Sequence, residues 1–260
     1  MELDLDGNVA LVTGSATGLG HACAEAFSRA GASVALASPD LGELAYASDR
    51  LYALGDGEIL GLEVDVRRPD GVAALVEETV AEYGGIDHVV TGPRPIEPEE
   101  FLAVADEDWF RAFDRQFMSV VWTIREAHPH LADSGRGTVV AVTNPVIRAL
   151  SGEFPVASAF GRAIRGIVES QARAFAPEVR LNAVCPGPHA TADLDRFVDG
   201  LLERGVYDDP EAARAALLAD CPYDSPGDPL ALGRLVAVLS SEHAGFLNGA
   251  AIPVDGGSGG

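Results

Sequence analysis

Asn8-Val9-Ala10-Leu11-Val12-Thr13-Gly14-Ser15-Ala16-Thr17-Gly18-Leu19-Gly20 is the stretch that decides how this chain folds. Residues 8–14 are a short apolar run closing on a turn signal, and from about Leu19 to Ala30 the apolar residues recur at helical spacing until Gly31. Strand, glycine-rich turn and helix thus follow directly on one another. The glycines allow a tight turn, close backbone approach to a pyrophosphate and close packing of helix on strand, while the helix N-terminus offers free N–H donors. Thr13, Gly14, Ala16, Thr17, Gly18, Leu19 and Gly20 are therefore candidate cofactor contacts. Taken alone, such a turn is also compatible with a connection that binds nothing, so its context matters.

That context is a repeating one. Strands are expected at 33–37, 59–65, 88–90, 138–143, 179–184 and 250–254, and helices at 40–54, 69–83, 106–132, 156–176 and 228–241. Strands apolar on both faces, alternating with helices of ten or more residues, argue for a parallel sheet covered on both sides. The expected fold is α/β, a single Rossmann-type domain over 1–260 with a doubly wound parallel sheet. Residues 188–228 break the rhythm with two short helical patterns near 193–204 and 210–219, and they are read as a lid-like insertion over a pocket.

Within this frame Thr13-Gly14-Ser15-Ala16-Thr17-Gly18-Leu19-Gly20 matches Thr-Gly-x-x-x-Gly-x-Gly at every fixed position, and the chain resembles the short-chain dehydrogenase/reductase family over nearly its whole length. Glu63-Val64-Asp65-Val66 resembles the family's adenine-contacting segment, so the resemblance implies cofactor roles for Asp65 and Val66. Asn182-Ala183-Val184-Cys185-Pro186-Gly187 is similar to its motif beside the nicotinamide, which implies the same for Pro186 and Gly187, and Val254-Asp255-Gly256-Gly257 resembles the C-terminal one. Gly92, in Thr91-Gly92-Pro93-Arg94, stands where the family carries Asn-Asn-Ala-Gly in support of the cofactor. At the end of the second strand, Ser38-Pro39-Asp40 offers an acidic side chain for the adenosine ribose, which favours NAD over NADP, although Asp before a helix is also an ordinary N-cap.

The family's catalytic residues are Asn, Ser, Tyr and Lys: Tyr exchanges the proton at the substrate oxygen, Ser holds that oxygen, Lys lowers the Tyr pKa, and Asn supports a proton-carrying water. Gly166 and Ala176-Pro177 match the family's register after its Lys, which puts Ala157 at the Tyr position and Gly161 at the Lys position. The Ser position falls on Asn144, after Thr143, and counting back from Pro129 puts Gln116 at the Asn position. A one-residue shift would offer Ser158 and Arg162 instead, but a serine is far too weak an acid for the task. Arg94, Arg148, Glu153, Ser158, Arg162, His189 and Asp193 lie on segments that the family layout brings toward the pocket. His189 is the leading substitute acid, since histidine titrates in the useful range, with Thr143 and Asn144 as polarising groups and Tyr207 and Tyr223 further back.

Charge is unusual: 40 Asp+Glu against 18 Lys+Arg give a net charge of −22, and all the basic residues are arginine. Such a field repels nucleic acid and anionic membrane and strains the compact state unless salt screens it. A high-salt cytoplasm of haloarchaeal type accounts for the acid excess, whereas a GC-rich genome accounts only for the missing lysine. Nothing resembles a secretion signal or a membrane span, so a cytoplasmic location is expected. Cys23, Cys185 and Cys221 are odd in number and widely spaced, as reduced packed thiols are, and no metal site is suggested.

The expected function is hydride transfer between NAD or NADP and a small carbonyl or alcohol substrate by a non-standard route. The alternative is a dinucleotide-binding sensor, or an inactive partner in a family oligomer. The resemblance also implies a homo-oligomer, dimer or tetramer, built on helices 106–132 and 156–176.

Overall fold

β1 (Val9–Val12) is buried at all four residues, which is what an apolar run without alternation requires of a central strand. On its one side lie β2 (Ser33–Ser38) and β3 (Ile59–Glu63), and on its other β4 (His88–Thr91), β5 (Gly137–Val142), β6 (Val179–Pro186) and β7 (Ala251–Val254). The order is β3-β2-β1-β4-β5-β6-β7, and each neighbouring pair is parallel. The sheet is seven-stranded and doubly wound, as expected. This computed structural model describes residues 2–55, 57–92, 100–143 and 154–258.

Helices cover both faces: α1 (Gly18–Arg29), α2 (Leu41–Tyr52), α3 (Pro69–Tyr83), α4 (Asp106–Ala112), α5 (Ser119–Asp133), α6 (Pro155–Ala174), α7 (Ala192–Glu203), α8 (Pro210–Leu217) and α9 (Pro229–Ser240). One core, holding Phe27, Leu36, Leu51, Leu232 and Val236, lies under α1, α2 and α9. The other, holding Leu75, Ile86, Ile124, Leu131 and Leu181, lies under α3, α5 and α6. Fully burying each such side chain stabilises the fold by about 1.5–3 kcal/mol before ordering entropy is counted.

Element ends shift by a residue or two from the sequence reading, and two differences bear on the site. The strand expected at 59–65 ends at Glu63, because Asp65 turns the chain: its Oδ1 accepts from the Arg67 backbone N at 2.9 Å. The helix expected across 106–132 is interrupted by a π-helical turn, Phe113–Met118. There Ser119 Oγ donates to the Arg115 carbonyl at 2.8 Å and Phe113 stacks on Phe117 with centroids 5.5 Å apart, local bonding to which apolar periodicity is blind.

Arg180 and two asparagines fix the far edge. Arg180 donates to the carbonyls of Ser241, Ala244 and Leu247, and burial lowers its pKa. Asn182 bridges the Leu247 carbonyl and the Ala250 N–H, while Asn248 bridges the Leu181 N–H and the Ala172 carbonyl. These bonds seat β7 beside β6, and Gly187 N then donates to the Val254 carbonyl at 3.0 Å. Residues of α7 and α8 bury a small cluster of their own, Val198, Leu201 and Ala213 with Phe197 and Tyr207 packed on it.

Candidate active site

In a doubly wound sheet the connections from β1 and β4 leave in opposite directions, which opens a crevice at the strands' C-terminal ends. A cleft of about 410 Å³ lies there. It is lined by Thr13, Gly14, Ala16 and Thr17 of the glycine turn, Ser38 and Asp40 after β2, Asp65 and Val66 after β3, and Gly92 after β4. Nine of the sequence candidates thus share one cavity.

The turn is built for close approach. Gly14 has φ +63°, and a Cβ there would stand 1.9 Å from the Gly92 carbonyl oxygen. A Cβ on Gly20 would stand 2.1 Å from the Gly14 oxygen, so Gly20 lets the helix seat against the turn. Thr13 Oγ1 accepts from Gly92 N at 3.3 Å and ties the two loops together. Leu19 packs into the core beneath. The N-terminus of α1 carries no acidic residue in its first turn and no side-chain cap from Thr17, so its N–H groups are left for an anion. A dinucleotide pyrophosphate fits this donor set.

After β2, where the sequence reading expects the adenosine ribose, Ser38 Oγ accepts from Asp40 N at 3.1 Å, and Asp40 caps α2 by accepting from Glu43 N at 2.9 Å. Asp40 therefore fills the N-cap role and lines the cleft at once, with Glu43 beside it. Asp65 is gripped by Arg67: Nε to Oδ1 and Nη2 to Oδ2, both at 2.7 Å. Those bonds hold the Asp65 carboxyl below the usual carboxylate range.

The nicotinamide-side positions are less open. Gln116 is buried in the π turn, and Ala157 and Gly161 are buried on α6, which packs against that turn. Thr143 Oγ1 donates to the Val184 carbonyl at 3.0 Å, so its proton is already committed. Ser158 Oγ is buried without a hydrogen-bond partner among the described residues. His189 is buried, its Nδ1 donating to the Gly187 carbonyl at 2.8 Å and its ring packed on Gly227. Because a carbonyl only accepts, Nδ1 carries the proton and Nε2 is left as an acceptor. Asn144, Arg94, Arg148 and Glu153 lie outside the described residues. Pro186 and Gly187 close β6, where a Cβ on Gly187 would stand 2.8 Å from Asp255 Cα.

A second cavity of about 410 Å³ adjoins the first through Ala16, Thr17 and Glu43, and brings Gly18, His21 and Arg50 together with Thr191. Burial, aided by the Arg50 charge, lowers the His21 pKa. Asp193 leans over the same turn: a Cβ on Gly18 would stand 2.1 Å from its Oδ2. Thr191 caps α7 by accepting from Leu194 N. Arg115 and Ser119 line the first cleft, and sequence reasoning missed both along with Thr191. Thr191 carried a signal, since it precedes a helical run, whereas the direction of Arg115 and Ser119 depends on the π turn. Among the described residues no His/Cys/Asp/Glu group could hold a metal.

A glycine turn at the switch point, a helix N-terminus without a side-chain cap beside the crevice and acidic groups lining that crevice define a dinucleotide-binding α/β protein. Residues 14–258 match the family model described as enoyl-(acyl carrier protein) reductase. The chain is 31% identical over 256 residues to cis-4-hydroxycyclohexanecarboxylate dehydrogenase from Sinomonas cyclohexanicum, covering 96% of this chain and 95% of that one. It is 29% identical to oxidoreductase UcpA from Escherichia coli K12 over 259 residues, 98% of this chain and 95% of the other. L-Sorbose reductase from Gluconobacter frateurii, solved with NADPH and L-sorbose, superposes with a TM-score of 0.92 at 27% identity, over 99% of this chain and 98% of that one. The chain belongs to the short-chain dehydrogenase/reductase family and is an NAD(P)-binding oxidoreductase by descent.

Proposed function

We propose that this protein moves hydride between NAD(H) and a small carbonyl or alcohol substrate, without the family's tyrosine–lysine pair. The observation that carries the reading is the cleft itself: the close approach of Gly14 to Gly92 and the uncapped start of α1 are kept, although the chain contains no lysine at all. When bound, the nicotinamide supplies or accepts the hydride at the substrate carbon.

The chain's own residues do the rest. Thr13, Gly14, Ala16, Thr17 and Gly18 hold and orient the dinucleotide, and fixing two reactants in line supplies much of what a poor acid–base group leaves undone. His189, with Nδ1 committed to Gly187, takes a substrate hydroxyl proton at Nε2 during alcohol oxidation and returns it during carbonyl reduction. Residues 188–228 form a lid over this end, and stacking of Phe197 on Phe154 supports that assignment, with ring centroids 6.1 Å apart and the planes 22° from parallel. Asp40 and Glu43 at the ribose end favour NAD over NADP, since a 2′-phosphate there would meet like charge. The aromatic run Phe101, Trp109, Phe160 and Phe113 joins the segment before α4, α4, α6 and the π turn, and the exposure of Phe101 and Phe113 at its ends supports a homo-oligomer on these helices.

The test uses NADH deuterated at the nicotinamide C4, in molar KCl, with a panel of aldehydes, ketones and sugars. Deuterium on the carbinol carbon of a product is the expected result. Tight NADH binding with no label transferred to any member of the panel would support the alternative, a sensor or inactive partner subunit.

A further inference from the structure

The grip of Arg67 on Asp65 constrains what that carboxylate can recognise. An ionised carboxylate offers about four in-plane acceptor sites, two on each oxygen. Oδ1 receives Nε of Arg67 at 2.7 Å and the Arg67 backbone N at 2.9 Å, so both of its sites are filled. Oδ2 receives Nη2 at 2.7 Å and, among the described residues, keeps one site open. The two-pronged grip also fixes the plane of the carboxylate, which a single contact would leave free to rotate. Asp65 and Arg67 both line the cleft, at the end away from Gly14 and Gly92.

We propose that Arg67 is a base-selecting residue: by clamping Asp65 it leaves one fixed acceptor, on Oδ2, which admits the 6-amino group of adenine and rejects a 6-oxo purine. This rests on the NAD(H) reading above. Adenine presents an N–H donor at its 6-position, whereas hypoxanthine presents a carbonyl oxygen, which would oppose a carboxylate that can neither turn away nor take up a proton easily. Arg67 acts through Asp65 and is a positioning residue. Without it, Asp65 can rotate to meet the N1–H of hypoxanthine, so the discrimination should collapse even though Asp65 remains.

The test is calorimetric titration, in molar KCl, of NAD, nicotinamide hypoxanthine dinucleotide and nicotinamide mononucleotide into the wild-type protein and into R67A and R67K. The wild type should bind NAD at least tenfold more tightly than the hypoxanthine analogue. R67A should cut that ratio to threefold or less, R67K should restore part of it, and the mononucleotide, which lacks the base, should bind all three proteins alike. A wild-type ratio near one, or a ratio unchanged in R67A, overturns the proposal while leaving the cofactor reading intact. Absence of NAD binding to the wild type overturns both.

Discussion

His88 opens β4, its Nε2 3.0 Å from Asn8 Nδ2 and its Nδ1 2.8 Å from Thr138 Oγ1. Burial, with the Arg180 and Arg136 charges adding to it, pushes its pKa down to about 3. The unfolded chain's imidazole titrates near 6.5, so below that pH the unfolded state takes up a proton that the native state refuses. The stability is complete above pH 6.5 and is lost as pH falls toward 3, by roughly 1.4 kcal/mol per pH unit from this residue. Urea unfolding from pH 7 to 4 should show that component, and H88Q should flatten the slope relative to wild type. An equal slope in both would show that His88 is not the titrating group. Nothing in the sequence marked His88, because its partners come from residues 80 and 50 positions away. Asp40 was more legible: a carboxylate before a helix reads as an N-cap, and it is one.

At the scale of elements, α6 is where the family pattern and this chain part. Both Ala157 and Gly161 are buried on the face that packs toward β6 and the π turn, so the two positions stay neighbours on one side of the helix. A157Y combined with G161K should raise carbonyl reduction at least tenfold if only the proton donor is lacking. NADH oxidation with the most reactive substrate of the panel measures it. A double variant that binds NADH and stays at the wild-type rate would show that the substrate end has been rebuilt as well. The strand–turn–helix unit around Gly14 was fully legible, because turn, strand and helix signals there are local. The π turn before α5 was not, since shifting the phase by one residue leaves an apolar stripe looking continuous. Arg115 and Ser119 were missed for the same reason, as their direction depends on that phase.

Over the whole molecule, a net charge of −22 on 260 residues is held together by few compensating cations. Most of the arginines with carboxylate partners make short-range surface pairs, such as Arg29–Glu25, Arg68–Asp70 and Arg165–Glu169. Exposed pairs of this kind each contribute about 0–1 kcal/mol, too little to offset the summed repulsion of the acidic excess in dilute buffer. Screening by salt relieves that repulsion, so the thermal midpoint should climb steadily from low salt to molar KCl. A midpoint that does not rise would remove the high-salt reading. Composition made the acid excess visible at once, and the parallel, doubly wound sheet followed from the alternation of strands and helices. The two short helices within residues 188–228 were legible as helical patterns, whereas a ligand for that segment was not, because the side chains that meet a ligand carry no periodic signal.

The central claim is that a family member without lysine still binds a nicotinamide dinucleotide at the glycine turn. Calorimetric titration of NAD, NADH, NADP and NADPH into the protein in molar KCl tests it most directly. The account predicts one site per chain with micromolar affinity for NAD and NADH, about tenfold weaker for the 2′-phosphorylated forms, a difference of ~1.4 kcal/mol. No heat of binding with any of the four would contradict it.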